Sequence, residues 1–149
     1  IIGAVHISQH LSIMANQIGF DVTVIDPRRA FATAERFPGI RLIFDWPDVA
    51  LDDIGLDSRT SIVALTHDPK IDDAALHKVL GKSLFHIACL GSRRTHAARL
   101  ERLSKAGFSD ADTAMIKGPA GLNIGAKTPA EIAVSVLGEL VAAYRGRAQ

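Results

Sequence analysis

Residues Ile1–Asp26 read IIGAVHISQHLSIMANQIGFDVTVID. Two apolar residues lead into Gly3, a helix-spaced stripe of Ile7, Leu11, Met14 and Ile18 runs to Gly19, and DVTVID follows as an apolar, β-branched run. Glycine just past a periodic segment stops a helix, and an apolar run without alternation marks a strand covered on both faces. Strand, glycine turn, helix, strand is the opening unit of a parallel α/β sheet. The turn comes close to a dinucleotide fingerprint, with glycine at the first position, Val5 at the second and Ser8 at the third. Because the fingerprint is incomplete, two readings stand: a tight strand-to-helix turn, or a phosphate site.

The alternation continues. A short helix is expected over Ala30–Phe37, a strand over IRLIF (residues 40–44), and an acidic connection over residues 45–60 with at most a short helix near Val49–Ile54. SIVALTH (61–67) and LFHIACLG (84–91) read as strands, IDDAALHKVLG (71–81) as a helix, and SRRTHAARLERLSKAG (92–107) as a helix with Ala97, Leu100 and Leu103 inward. TAMIKG (113–118) reads as a last strand. Thr128, Pro129 and Glu131 form a capping box at the start of the final helix. Strands alternating with helices imply right-handed crossovers, hence a doubly wound parallel sheet, Rossmann-like, in three α/β/α layers. Residues 1–149 make one such domain; the two residues before the glycine turn are short for a strand, so the chain reads as the C-terminal part of a longer natural protein.

Composition narrows the function classes. A chain of 149 residues, 48% hydrophobic and 22% charged, buries a core without disulfides or a structural metal. A formal charge of +1 and a pI near 8.2 give no footprint for nucleic acid. The single cysteine, Cys89, excludes an internal disulfide and fits a reducing cytoplasm. No apolar run reaches the roughly 18 residues of a membrane span, and no signal peptide is visible.

In a sheet of this kind ligands bind beyond the carboxyl ends of the strands. The residues delivered there are Gly3, His6 and Ser8; Asp26, Arg28 and Arg29; Thr66, His67 and Asp68; Gly91, Ser92, Arg93 and Arg94; and Gly118, Gly121, Asn123, Gly125 and Lys127. Asp26, at the end of the second strand, is either a ribose-binding acid or an ion-pair partner of the adjacent arginines. Arg93 and Arg94 oppose the dipole at a helix N-terminus, a placement that a bound anion offsets. The segment KGPAGLNIGAK offers amides and two lysines, Lys117 and Lys127, to an anion, although Leu122 and Ile124 must pack. His6 and His10 lie one helical turn apart, but no HExxH or Cys/His cluster accompanies them or His67, so no metal site is expected. Cys89 reads as a small core residue. No nucleophile and base stand at a recognisable spacing, which favours a carrier over an enzyme.

GAVHISQ, VTVIDPR, FATAERFP, DWPD, ALTHDPKID, LGSRRTHAARLERL and GLNIGAKTPAEIAVSVLGEL occur in this order along the chain. Together they resemble the C-terminal Rossmann-like domain of the XdhC/CoxI family, accessory proteins of xanthine dehydrogenase and related molybdenum hydroxylases. The resemblance implies binding of the molybdenum cofactor (molybdopterin), shelter while its terminal sulfur is installed, and delivery to an apo-hydroxylase such as xanthine dehydrogenase. It also implies an N-terminal domain, a cysteine desulfurase as sulfur donor, and a homodimer among the assemblies to test. Two positions depart from the family pattern: Val5 where glycine is usual, and Asn123 where aspartate is common. The rival readings are an NAD(P)-dependent oxidoreductase or dinucleotide module, which Val5 opposes, and a domain that acts only through protein contacts.

Overall fold

The computed structural model describes residues 1–146. Its strands are β1 (Thr23–Ile25), β2 (Arg41–Ile43), β3 (Ser61–Ala64), β4 (His86–Cys89) and β5 (Ile116–Lys117). Its helices are α1 (His6–Gln17), α2 (Pro47–Ile54), α3 (Pro69–Val79), α4 (Arg93–Lys105), α5 (Asp110–Ala114) and α6 (Pro129–Tyr144). All the strand pairs are parallel, with Ile25 opposite Ile43, Ala64 opposite Cys89 and Ile87 opposite Ile116.

Ile2 joins two groups of strands, bridging to Ile25 on one side and to Ala64 on the other. Its amide donates to the Val63 carbonyl at 2.8 Å, and its carbonyl accepts from the Leu65 amide at 2.9 Å. Across the sheet the order is therefore β2, β1, Ile2, β3, β4, β5, which is the Rossmann order with Ile2 as the stub of its first strand. The chain winds outward to β2, then returns past Ile2 to β3, and strand order reverses at that point.

The strand residues point alternately to the two faces, as the pleat requires. Val63, Leu65 and Ala88 pack with Ile7 and Leu11 of α1 and Ala133 and Val136 of α6. Ile62, Ala64 and Ile87 pack on the opposite face with Leu51 of α2, Ile71 and Leu76 of α3 and Leu103 of α4. Cys89 is fully buried in this second layer, as expected of a core residue. The final helix starts as its sequence predicts: the Thr128 hydroxyl accepts from the Glu131 amide at 3.2 Å, and Glu131 accepts from the Thr128 amide at 3.0 Å.

Four local expectations are corrected. Residues 30–37 form turns, not a helix, because the stretch lies between Pro27 and Pro38 and is too short to offset the cost of nucleation; Ala32 and Phe37 still fill a small core with Ala4 and Val24. The final strand shrinks to Ile116–Lys117 because Ser109 and Asp112 form a capping box that draws Thr113 and Ala114 into α5. Ile18 is exposed, since α1 ends at Gln17 and Ala15 takes the inward position. Ala97 is exposed, and the inward side chain on that part of α4 is Arg99.

Ile2 is fully buried and holds both halves of the sheet. Ile2→Ala should therefore lower the free energy of unfolding by about 2–5 kcal/mol, measured by equilibrium urea denaturation. A loss under about 1 kcal/mol would show that the Ile2 side chain adds little to the core and that its backbone ladder alone joins the two halves.

Candidate functional site

The carboxyl edge begins at Gly3. Its φ of +104° favours glycine, and a Cβ there would stand 2.5 Å from Thr66 Cγ2 and 3.2 Å from the Thr66 amide nitrogen. The glycine is needed for backbone shape and for the approach of the β3 end. Ser8 is fully buried and its hydroxyl donates to the Gly3 carbonyl, so it clamps the turn from within. Val5 precedes α1 without a capping side chain, and no acidic residue lies in the first turn. The amides opening α1 therefore carry an unneutralised positive end of the helix dipole. A shallow cleft of about 220 Å³ lies there, lined by Val5, His6, Ile7, Leu65, His67 and Pro129. It brings the glycine turn, the end of β3 and the start of α6 together at the reversal of strand order.

Asp26 is fully buried beside this turn. Its Oδ2 accepts from the Ala4 amide at 2.8 Å and from Arg28 Nη2 at 2.7 Å; its Oδ1 accepts from the Arg28 amide and Nε, each at 2.9 Å. Burial works against the charge, but the Arg28 guanidinium and the two amides outweigh it and hold the carboxyl below its ordinary range. Of the two readings open from sequence, the structure shows the ion pair. Both oxygens are engaged within the chain, which leaves no ready acceptor for a ribose hydroxyl.

The turn after β3 is built on a buried charge. The Thr66 hydroxyl lies 2.6 Å from Asp72 Oδ1, and Asp68 caps α3 by accepting from the Lys70 amide at 2.9 Å. His67, exposed between them, has φ +62° and is the one non-glycine residue in the left-handed region among the described residues. Burial pushes the Asp72 carboxyl up, against the pull of Thr66 and Arg99. Arg99, also buried, donates to the Leu90 carbonyl at 2.9 Å and stands 3.8 Å from Asp72. Its Nε and Nη1 have no partner among the described residues. Thr66, Asp72 and Arg99 thus tie the 66–68 turn to the turn after β4. Sequence reading missed Asp72 and Arg99; the available signal was that Asp72 shares a helical stripe with Ala75, Leu76 and Val79.

Beyond β4, Gly91 adopts φ +141° and Ser92 caps α4 by accepting from the Thr95 amide at 3.1 Å. Arg93 and Arg94 are exposed and make no ion pair among the described residues. The glycine-rich loop divides. Gly118 lies against the His96 ring, where a Cβ would fall 2.1 Å from Nδ1, and burial, with Arg99 nearby, lowers the His96 pKa. Gly121 packs on α6 and gives its amide to Glu139 at 3.2 Å, so that donor is not offered to a ligand. Asn123, Gly125 and Lys127 are exposed on the way to α6, and so is Ile124, against the expectation that it packs; Leu122 alone lies on α6, against Gly138.

The opposite edge carries the larger cleft, about 960 Å³, beside the strand starts at Thr23 and Ser61. There His86 is buried between Ser61 Oγ at 2.8 Å and Glu139 at 3.0 Å, joining β3, β4 and α6. Arg41 and Arg145 line that larger cleft, but the glycine turn and the uncapped amides of α1 lie at the carboxyl edge, so backbone chemistry and cleft size point to different ends. The chemistry marks the candidate site.

The family model described as the XdhC Rossmann domain matches residues 1–140. The chain belongs to the XdhC family. It is 33% identical over 132 residues to a Bacillus subtilis (strain 168) protein named as a probable xanthine dehydrogenase subunit, covering 88% of this chain and 38% of that one. It is 33% identical over 85 residues to the molybdenum cofactor insertion chaperone PaoD of Escherichia coli (strain K12), covering 57% of this chain and 27% of that one. A crystal structure of a xanthine dehydrogenase from Bacillus halodurans superposes with a TM-score of 0.83 at 30% identity, covering 99% of this chain and 42% of that one. The XdhC domain described here thus spans 27–42% of the length of these relatives.

In this XdhC domain the Asp26 charge contributes to stability. With its pKa lowered in the folded state, that contribution is present above the unfolded value near 3.8 and is lost as pH falls through the folded value. Asp26→Asn should cost about 1.5–3 kcal/mol at pH 7, and the gap from the wild type should close as the pH is taken below about 4. Urea denaturation at several pH values checks both. A gap independent of pH would show that the charge is not what stabilises the turn.

Proposed function

We propose that this chain binds the molybdenum cofactor and forms part of a factor that assists its sulfuration and its insertion into xanthine dehydrogenase-type hydroxylases. The match to the XdhC family over residues 1–140 carries this reading, and the names of the relatives agree with it. The donor set at the carboxyl edge suits an anionic ligand: uncapped α1 amides, exposed Arg93 and Arg94, and the Lys127 side chain. These residues would hold the phosphate-bearing part. When bound, the cofactor supplies the redox centre used by the recipient enzyme; this chain supplies anchorage.

The shape of the site supports a carrier. A cleft of about 220 Å³ is smaller than the roughly 300–1,000 Å³ of an enclosing small-molecule pocket. A ligand seated there keeps one side open to a second protein, as handover requires. The sulfur source lies outside this chain, because burial pushes the thiol of its one cysteine, Cys89, up to about 12. A protonated, enclosed thiol is a poor sulfur acceptor. A cysteine desulfurase and an apo-hydroxylase are the partners that this reading requires.

The strand order favours a second reading, dinucleotide binding. Two observations oppose it: Val5 stands where the pyrophosphate would approach the backbone, and Asp26 is engaged by Arg28.

Spectroscopic titration with molybdopterin should show Arg93→Ala and Arg94→Ala each weakening binding by about 1.5–3 kcal/mol if the arginine makes a charged hydrogen bond. Equal affinity in both single variants and in the double variant would remove this edge from consideration. In calorimetry the wild type should bind NAD(H) and NADP(H) weakly or not at all, and Val5→Gly should gain dinucleotide affinity without gaining molybdopterin affinity. Micromolar NAD(H) binding by the wild type would return the dinucleotide reading to first place.

A further inference from the structure

The last helix, α6, carries an apolar side that the rest of the domain leaves open. Between Pro129 and Tyr144 its only charged residues are Glu131 and Glu139. Glu139 is turned inward, to His86 and to the Gly121 amide. A helix that is apolar on every side belongs in an interior, yet α6 fully buries only Ala133, Ser135, Val136 and Leu140. Away from that side, Glu131, Val134, Gly138, Val141 and Arg145 recur at helical spacing and share one stripe. Val134 is half-exposed, and neither it nor Val141 joins the packed core. The loop before α6 adds to this side, since Leu122 lies on Gly138 and Ile124, two residues on, is exposed.

The stripe is charged only at its ends. Glu131 closes the capping box through Oε2, which accepts from both the Lys127 and Thr128 amides, so Oε1 stays free of these bonds. Arg145, exposed at the helix end, has no carboxylate partner among the described residues, and its guanidinium lies 5.3 Å from the Tyr144 ring centre. Glu131 and Arg145 stand seven residues to either side of Gly138. An apolar stripe with an acid at one end, a base at the other and its smallest residue midway is complementary to itself when reversed.

We infer that this side of α6 is a dimerisation surface, on which the α6 of a second copy of the chain packs antiparallel about a two-fold axis beside Gly138. Glu131 then lies opposite the second copy's Arg145, the same pair recurs at the other end, and Val134 meets the second copy's Val141. A shallow crossing of about 20° keeps both ends within reach. A parallel pairing would instead set acid against acid and base against base. Pro129, at the start of α6, lines the carboxyl-edge cleft, so the antiparallel pair carries its two clefts at opposite ends of a 16-residue helix, about 24 Å long. Each cleft stays open to a further protein, whichever ligand it holds.

Sedimentation equilibrium of the wild-type chain over a dilution series should show a monomer–dimer equilibrium. Val134→Lys, a change at an exposed position, should leave only monomer over the same range. Glu131→Lys and Arg145→Glu each put like charges at both ends of the pair, and each should raise the dimer Kd about tenfold. Mixed in equal amounts, these two variants should recover tight association, because each end of the mixed pair again joins an acid to a base. Damage to the helix cap by Glu131→Lys persists in the mixture and cannot mimic that recovery. If circular dichroism shows Glu131→Lys unfolded, Glu131→Gln keeps the capping bonds, and its mixture with Arg145→Glu should associate more tightly than Arg145→Glu alone. A wild type that stays monomeric, a dimer unmoved by Val134→Lys, or a mixture no tighter than its components overturns the inference.

Discussion

The backbone of Ile2 is the constraint on which the domain depends. Its amide and carbonyl face β3, while the neighbouring Gly3 amide donates to Ile25 at 2.8 Å and Ile25 donates back to the Ile1 carbonyl at 2.9 Å. This short stretch thus carries hydrogen bonds to both halves of the sheet and fixes the line at which the winding reverses. The residue after Ile2 is the glycine whose missing side chain lets Thr66 approach. Sheet closure and site geometry are therefore set by consecutive residues. The site cannot drift relative to the core without breaking the ladder that defines the fold.

Polar groups at the carboxyl edge divide into those that hold the turns and those left for a ligand. Asp26 commits its charge to Arg28 and to the Ala4 amide. Asp72 and Arg99, both buried, link the turns after β3 and β4 through Thr66 and the Leu90 carbonyl. Buried charges that lack good partners are costly, so such an arrangement is expected to fix conformation more than to add stability. Because the turns are held internally, the exposed Arg29, Arg93 and Arg94 can meet an anion without first being released from an ion pair.

Strand and helix alternation was legible because buried parallel strands and capped helices leave local marks: continuous apolar runs at 62–65 and 87–90, a glycine after α1, and the Thr128 capping box. Readings stayed open or went astray where a local mark was shared by two structures. A spacing of 23 residues between Gly3 and Asp26 fits a ribose acid and a turn-locking ion pair equally; only the position of Arg28 distinguishes them. Apolar periodicity placed Ala97 inward and overlooked Arg99, since a long cationic side chain can fill an inward position when a carbonyl and a carboxylate receive its head. The Ser109 capping box was as explicit as that of Thr128 but lay just before an apparent strand, whose first residues it draws into α5. The glycine-rich loop had the composition of an anion nest, yet Leu122 and Ser135 draw part of it onto α6, a tertiary contact that composition does not encode.

The openness of the edge bears on how such a domain would work. A carrier that encloses its ligand gains affinity but must open before transfer, whereas one that holds the ligand by charge at a rigid rim can release it when a partner offers more contacts. On the carrier reading proposed above, the internally locked turns and the small cleft would put this domain in the second class. Electrostatic attraction at an exposed rim weakens as salt rises, while contacts buried in a recipient enzyme do not weaken to the same extent. On that reading the direction of transfer would be set by desolvation: the ligand would move from an exposed rim of cations to a site that encloses it, and the rim would return to solvent with its turns unchanged.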